Sequence, residues 1–214
     1  MTPLVAWPQM RRSMVAILRG IEPAMARDTA LELVDAGFTA IEVPLNSPDP
    51  FISIEAMAKA VPDDCLIGAG TVLATDSVER LYSSGGKLMV SPNVDGAVIQ
   101  RAGFRGMVTM PGVFTPTEAL CAVSYGASAL KFFPASVLGP AGIAAIRAVL
   151  PGGLEIGAVG GVGNADFGAY AAMGIRTFGL GSSLYKPGAT PAETGQRARK
   201  AVAAYDAVFG KAQS

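Results

Sequence analysis

The chain of 214 residues contains no histidine. This absence excludes catalytic triads and dyads that use an imidazole base, and it excludes metal sites with imidazole ligands. A metal site built from carboxylates alone stays open. Any other acid–base or nucleophilic chemistry has to come from lysine, glutamate, aspartate, tyrosine or cysteine side chains.

Cysteines and long apolar runs are also scarce. Cys65 and Cys121 lie far apart without metal-site spacing, so we expect free thiols and a reducing, cytoplasmic location. The longest uncharged stretches, such as 132–146, are broken by proline and glycine, so we expect no transmembrane span. The first twelve residues lack the pattern of a signal peptide. Basic and acidic residues number 17 each, and this balance argues against binding to nucleic acid.

Short apolar runs with β-type composition alternate with segments of helical spacing along the whole chain. The predicted strands are 14–18, 40–43, 65–68, 88–90, 107–110, 129–133, 155–159 and 177–180. Eight strand–helix units about 25 residues apart predict an α/β fold, a single (β/α)₈ TIM barrel over residues 1–214. An open doubly wound sheet is the alternative, but no GxGxxG motif follows the first strand.

Polar residues recur inside these apolar strands or directly after them. They are Arg19, Glu42, Thr71, the run Ser91-Pro92-Asn93, Thr109 and Lys131. In a barrel, the carboxyl ends of the strands meet at one rim, where active sites are built. We therefore expect these side chains to converge at that rim or just inside it.

Lys131 is the one lysine within an apolar strand, in the run Ala129-Leu130-Lys131-Phe132-Phe133. An ammonium group taken out of water is strongly disfavoured unless it is paired or gives up its proton. Such a lysine has a depressed pKa and is a better nucleophile. The alternative is a strand-end lysine whose stem packs while its head reaches solvent.

Glu42 lies between Ile41 and Val43, so its side chain points to the opposite face of the strand from theirs. If these two neighbours face the helices, Glu42 points into the barrel and needs a partner, either Lys131 or Arg19. A purely structural buried ion pair is the alternative interpretation.

The seventh and eighth predicted strands end in glycine-rich loops, Gly160-Gly161-Val162-Gly163-Asn164 and Gly179-Leu180-Gly181-Ser182-Ser183. Glycine lets backbone N–H groups approach an anion closely, and loops at these two places form a recurrent phosphate site in TIM barrels. Single glycines also serve as simple turn formers. The two loops together favour phosphate binding.

The chain resembles the class I 2-keto-3-deoxy-6-phosphogluconate and 2-keto-3-deoxy-6-phosphogalactonate aldolases. The resemblance covers residues 14–188, nearly the whole chain. The matching segments are Ile17-Leu18-Arg19-Gly20, Ile41-Glu42-Val43-Pro44-Leu45-Asn46, Gly68-Ala69-Gly70-Thr71-Val72, Val90-Ser91-Pro92-Asn93, Leu130-Lys131-Phe132-Phe133-Pro134-Ala135 and Ala158-Val159-Gly160-Gly161-Val162. The run after Glu42 and the residue Val159 are similar to the galactonate branch, since gluconate enzymes usually carry a Thr-Leu-Arg-type run and a threonine there.

The resemblance implies a homotrimer that cleaves a phosphorylated keto-deoxy sugar acid into pyruvate and D-glyceraldehyde 3-phosphate, without cofactor or metal and without binding membrane or nucleic acid. It implies that Lys131 forms a Schiff base with the C2 ketone and that Glu42 is the general base. The implied substrate-binding residues are Arg19 and Thr71 at the carboxylate, Pro92 and Phe133 beside the imine, and Gly160, Gly161, Gly181 and Ser182 at the 6-phosphate.

Three other functions stay open. The gluconate form of the substrate differs from the galactonate form only at C4, so the same reaction on it is possible. A barrel isomerase or epimerase without metal would share the phosphate loops. A non-enzymatic barrel that binds a phosphorylated metabolite would keep the loops, but it would have no reason to retain both Lys131 and Glu42.

Overall fold

The computed structural model describes residues 5–210. Over this range, nine strands form one parallel sheet with eight α-helices between them. The strands are β1 (Met14–Ile17), β2 (Ala40–Pro44), β3 (Leu66–Gly70), β4 (Leu88–Val90), β5 (Val108–Met110), β6 (Gly112–Val113), β7 (Ala129–Phe132), β8 (Glu155–Val159) and β9 (Thr177–Leu180). The helices are α1 (Pro23–Ala36), α2 (Pro50–Ala60), α3 (Thr75–Ser83), α4 (Gly96–Phe104), α5 (Pro116–Ser124), α6 (Ala135–Arg147), α7 (Phe167–Ala172) and α8 (Pro191–Phe209).

The sheet returns on itself as a barrel. Its strand order is β5-β4-β3-β2-β1-β9-β8-β7-β6, so the two end strands are consecutive in the chain and only Pro111 separates them. The predicted TIM barrel is therefore confirmed, and the open doubly wound sheet is wrong.

The fifth predicted strand, 107–110, corresponds to two short strands. Proline has no N–H to donate, so a ladder breaks where it occurs. On one side of Pro111, β5 pairs with β4; on the other side, β6 pairs with β7. The carbonyl oxygen of Pro111 still accepts a hydrogen bond from the backbone N–H of Lys131, at 2.9 Å.

Two apolar cores lie on the two faces of the sheet. Ala40 belongs to the core inside the barrel, whereas Ile41 and Val43 belong to the core between the sheet and the helices. Because side chains alternate along a strand, Glu42 shares the inward face of Ala40, as its neighbours in the sequence suggest.

At the amino-terminal end of the barrel, the chain before β1 contacts the last helix. The guanidinium of Arg12 donates two hydrogen bonds to the carboxylate of Asp206 on α8, each at 2.7 Å. No helix within residues 5–210 combines the length and apolar character that crossing a bilayer requires.

Candidate active site

Lys131 lies on β7, where its register partners are Gly112 on β6 and Gly157 on β8. Partners in register project to the same face of a sheet, so no side chain stands beside the lysine on either neighbouring strand. The backbone of Pro92 fills the space at Gly112, and the side chain of Met110 fills the space at Gly157. Lys131 is only 5% exposed, and its Nζ lies 4.8 Å from the centroid of the Phe133 ring. The amine is therefore held inside the barrel, close to an aromatic wall.

Glu42 lies on β2 and is 2% exposed. Its carboxylate packs against the α-carbon of Gly70, at the end of β3, and a β-carbon at that position would collide with both carboxylate oxygens. Among the residues that the structure describes, no group donates a hydrogen bond to Oε2 of Glu42. A buried carboxylate oxygen without a donor is costly in a purely structural role, and it is available to a bound molecule.

The charges of Lys131, Glu42 and Arg19 act on one another. Burial raises the pKa of Glu42 to about 7, while the positive charges of Lys131 and Arg19 oppose this rise. Burial lowers the pKa of Lys131 from its usual range; the charge of Glu42 raises it, and the charge of Arg19 lowers it further. In the described part of the chain, no ion pair within 4.0 Å joins Glu42 to Lys131.

This arrangement suits carbonyl chemistry at neutral pH. A lysine with a depressed pKa has more of its amine in the neutral, nucleophilic form. A carboxyl group with a pKa of about 7 can both give and take a proton near neutrality, which is the optimum for a general acid–base. The site thus contains a nucleophile and a proton-transfer group.

A cavity of about 310 Å³ opens above Lys131. Seven of the residues predicted from the sequence line it, namely Arg19, Lys131, Phe133, Gly160, Gly161, Gly181 and Ser182. The cavity therefore brings the buried amine together with both glycine-rich loops.

Three other predicted residues do not line this cavity but lie next to residues of the site. The charges of Glu42 and Lys131 each shift the pKa of the other group. Thr71 directly follows Gly70, against which the carboxylate of Glu42 packs. The backbone of Pro92 packs against Gly112, the register partner of Lys131.

Thr71 adopts a left-handed backbone conformation, with φ of 57°. This region is unfavourable for a β-branched residue, by about 1–3 kcal/mol. Strain of this kind persists where the surrounding structure enforces it, and it clusters at functional sites. The strain is a second observation, independent of the sequence pattern, that points to the end of β3.

The two glycine-rich loops follow β8 and β9, which are the seventh and eighth strand positions of the barrel. Gly160 and Gly161 have φ of 91° and 74°, which residues with a side chain rarely adopt. A β-carbon at Gly160 would lie 2.9 Å from the ring of Phe133. Within residues 5–210, the backbone N–H groups of Gly161 and Ser182 have no acceptor. These donors are therefore available to an anion in the cavity.

The expectation that Thr109 joins the rim is wrong. Thr109 lies between Val108 and Met110, which belong to the core inside the barrel, so its own side chain faces outward. It exchanges hydrogen bonds with Ser128: the N–H of Thr109 donates to Ser128 Oγ at 2.9 Å, and the N–H of Ser128 donates to Thr109 Oγ1 at 3.0 Å. This buried pair has a structural role.

Among the residues that line the cavity, sequence reasoning missed Tyr185, Lys186 and Pro187. All three lie within four residues of the run Gly181-Ser182-Ser183, and this short distance from a phosphate-type loop is the signal that the sequence offered. Lys186 adds a cationic side chain to a cavity that already contains the guanidinium of Arg19 and the amine of Lys131.

A larger cavity, of about 830 Å³, opens at the other end of the barrel, beside the segment before β1 and the end of α8. The described residues that line it include no lysine, so it offers no amine nucleophile. Its size alone therefore does not make it a candidate site for a reaction that needs a lysine amine.

The fold is a TIM barrel, and a buried lysine beneath a cavity at its carboxyl rim is an arrangement typical of enzymes that act on carbonyl compounds. The model of a protein family described as KDPG and KHG aldolase matches residues 9–199. The chain therefore belongs to the KDPG and KHG aldolase family and is a carbon–carbon lyase.

Individual relatives and solved structures agree with this assignment. The chain is 65% identical over 206 residues to a protein of Rhizobium meliloti (strain 1021) named "Probable 2-dehydro-3-deoxy-6-phosphogalactonate aldolase", covering 96% of this chain and 97% of that one. It is 45% identical over 197 residues to the 2-dehydro-3-deoxy-6-phosphogalactonate aldolase of Escherichia coli (strain K12), covering 92% and 96%. A solved structure described as "Native KDPGal structure" is 44% identical, with a TM-score of 0.91 over 95% of this chain and 98% of that one.

Proposed function

We propose that this protein is a class I aldolase that cleaves 2-dehydro-3-deoxy-6-phosphogalactonate to pyruvate and D-glyceraldehyde 3-phosphate through a Schiff base on Lys131. The observation that carries this proposal is a lysine 5% exposed, with a depressed pKa, beneath a cavity whose loops present free backbone N–H groups. The relatives at 65% and 45% identity, which bear the name of this activity, support the choice of substrate.

In the first half of the reaction, the neutral amine of Lys131 attacks the C2 ketone. Loss of water then gives a protonated imine. Glu42 transfers the protons that this dehydration requires, because its pKa of about 7 lets it act in both directions near neutral pH. The aromatic ring of Phe133, 4.8 Å from Nζ, forms the wall beside the imine and limits the access of water, and Pro92 shapes the same wall.

In the second half, Glu42 takes the proton of the C4 hydroxyl, directly or through water. The C3–C4 bond breaks, its electron pair moves into the imine to form an enamine, and D-glyceraldehyde 3-phosphate leaves. The enamine is then protonated at C3, and hydrolysis of the imine releases pyruvate and the free amine. The protonated imine on Lys131 is the electron sink for this step, a role that a metal ion has in other aldolases.

The two anionic ends of the substrate bind at different places. Arg19 and Thr71 hold the carboxylate next to C2, with the guanidinium able to grip it by two hydrogen bonds. The backbone N–H groups around Gly160, Gly161, Gly181 and Ser182 hold the 6-phosphate. Lys186 supplies a full positive charge on the same cavity, which neutral backbone donors cannot supply.

The direct test compares cleavage of the 6-phosphogalactonate and 6-phosphogluconate forms, with pyruvate release as the readout. The two forms differ only in configuration at C4, so charge, length and the imine carbon are matched. We expect the galactonate form to have the higher kcat/KM. A higher kcat/KM for the gluconate form would overturn the choice of substrate while leaving the Schiff-base mechanism in place.

The remaining alternative is a metal-free isomerase or epimerase that enolises a phosphosugar with the same Glu42 and Lys131. It predicts an isomeric product with the carbon chain intact and no pyruvate. Chromatography of the reaction mixture therefore separates the two functions, since cleavage yields two three-carbon products.

We also propose that the protein is a homotrimer in the cytoplasm. Large apolar side chains that the single chain leaves exposed, among them Phe104, Leu120 and Val137, support an assembly that covers them. The free thiols Cys65 and Cys121 support a reducing compartment. Light scattering should give three times the chain mass of 21.8 kDa, and a mass of one chain would refute the trimer.

A further inference from the structure

Two side chains join the loop after β1 to the loop after β2. The guanidinium Nη1 of Arg19 donates a hydrogen bond to Oδ1 of Asn46, and the backbone N–H of Gly20 donates to Oγ of Ser47 at 2.9 Å. Ser47 is buried, whereas Asn46 and Arg19 are exposed. The buried contact fixes the backbone of the loop, and the exposed contact fixes the guanidinium.

The position of this guanidinium matters for the chemistry. Arg19 lines the cavity above Lys131, and its charge acts on both Lys131 and Glu42. An exposed arginine side chain without an anchor samples many rotamers, and its charge is then spread over a large volume. One hydrogen bond to Asn46 restricts the side chain and leaves the other N–H donors of the guanidinium for a ligand.

The kind of acceptor is informative. An amide oxygen is neutral, so it orients the guanidinium without reducing its charge. A carboxylate at the same place would bind the guanidinium more strongly, because the hydrogen bond would be charge-assisted, but it would also cancel the charge. A contact that served only to join the two loops would work at least as well with aspartate. A contact that aims a full positive charge at an anion is better served by a neutral acceptor, which leaves that charge uncompensated.

We propose that Asn46 is a positioning residue that aims the guanidinium of Arg19 at the substrate carboxylate. This inference rests on the proposed function, in which Arg19 binds that carboxylate. Asn46 itself does not contact the reacting atoms; it acts through Arg19.

The test uses pyruvate, which has the carboxylate and the C2 ketone but no phosphate, and traps its imine with borohydride. The trapped adduct is quantified by mass spectrometry over a range of pyruvate concentrations and pH values. The variants are Asn46→Ala, which removes the acceptor, and Asn46→Asp, which keeps an acceptor and adds a negative charge. Gln196→Glu is the control, because it changes an amide to a carboxylate in the same way at an exposed position on α8, outside the site.

We expect Asn46→Ala to raise the half-saturating pyruvate concentration about tenfold, as for the loss of one hydrogen bond to a charged group, with little change in the maximal trapping rate. We expect Asn46→Asp to raise that concentration at least as much, with an unchanged melting temperature. Asn46→Asp should also shift the pH dependence of trapping to higher pH, because a cancelled Arg19 charge no longer favours the neutral amine of Lys131. Gln196→Glu should change neither quantity appreciably.

The outcomes separate this inference from the proposed function. If the unmodified protein traps pyruvate and Asn46→Asp matches it in half-saturation and pH dependence, the contact only joins the loops and the inference is refuted. The inference is also refuted if Asn46→Ala leaves the half-saturating concentration unchanged. If the unmodified protein traps no pyruvate on Lys131, the proposed function itself fails, and the role of Asn46 fails with it.

Discussion

Two pairs of opposite charge lie at the two ends of the barrel, and they are built in opposite ways. At the amino-terminal end, Arg12 and Asp206 share two hydrogen bonds of 2.7 Å, and hydrogen bonding to Asp206 raises the pKa of Arg12. At the carboxyl rim, Glu42 and Lys131 are more deeply buried, yet no ion pair within 4.0 Å joins them in the described part of the chain. Burial raises the pKa of Glu42 and lowers the pKa of Lys131, so it favours the neutral form of each group.

The difference distinguishes a structural pair from a reactive one. A pair in direct contact stabilises the charged state of both members and resists proton transfer. In a buried pair without direct contact, the neutral form of each group stays accessible, so both groups can gain or lose a proton. The free energy that burying them costs is offset elsewhere in the fold. We therefore infer that the pair at the Arg12 end of the barrel stabilises the fold, and we propose that the pair at the Lys131 end carries out the reaction.

The largest expected effect comes from Lys131→Met, which replaces the amine with an apolar side chain of similar length. Aldol cleavage should fall on the order of 10⁵-fold or more, since the nucleophile is gone. The free energy of unfolding should stay the same or increase, because a disfavoured buried amine is removed. Pyruvate release and urea unfolding of the same preparation measure both effects. If Lys131→Met lost stability but kept its activity, Lys131 would be a structural residue and not the nucleophile.

The next largest effect is expected for Glu42→Gln, which keeps the shape of the side chain and removes its proton transfer. We expect kcat to fall about 10²–10⁴-fold, while pyruvate is still trapped on Lys131 by borohydride. The two assays together show whether Glu42 acts in turnover or only supports the fold. An unchanged kcat would remove Glu42 from the role of general acid–base.

Much of the site could be predicted from the sequence because strands impose a simple geometry. Alternation placed Glu42 inside the barrel from its two apolar neighbours, and the position of Arg19 after β1 placed it at the rim. The same alternation would have excluded Thr109, which lies between two inward residues. Lys186 and Asn46 could not be assigned in this way, because a loop residue reaches the site through the path of the loop and not through a strand period.

The split of the fifth strand at Pro111 illustrates a second limit. Eight evenly spaced apolar runs allow few folds, so the barrel followed from their number and spacing. Which residues on either side of a proline continue the ladder depends on the neighbouring strands. The separation between Glu42 and Lys131 is likewise set by packing, notably by Gly70, whose missing side chain makes room for the carboxylate.

A smaller effect, on stability alone, is expected for Arg12→Gln. The change removes one partner of the pair and leaves the carboxylate of Asp206 with fewer donors, so the free energy of unfolding should fall by about 1–3 kcal/mol. The value of kcat should not change. Urea unfolding and pyruvate release measure the two quantities, and a double-mutant cycle with Asp206→Asn isolates the pair. A fall in kcat at unchanged stability would contradict the proposed division.

The last expected effect is a pH dependence of stability. The pKa of Glu42 is raised from 4.5 to about 7 on folding, so the folded protein binds this proton more tightly than the unfolded chain. The stabilisation is therefore present at low pH and is lost as the pH rises through about 7. Relative to Glu42→Gln, the free energy of unfolding of the unmodified protein should fall as the pH rises from 4.5 to about 7. Parallel curves in urea unfolding would show that the carboxyl group titrates normally.

The proposed mechanism requires the buried amine of Lys131 to form an imine near neutral pH. The most direct measurement treats the protein with pyruvate and borohydride across this range, then maps the added mass by peptide analysis. We expect a single reduced pyruvate adduct on the peptide that contains Lys131, with a proportional loss of cleavage activity. An adduct on another lysine, or full activity after treatment without any adduct, would contradict it.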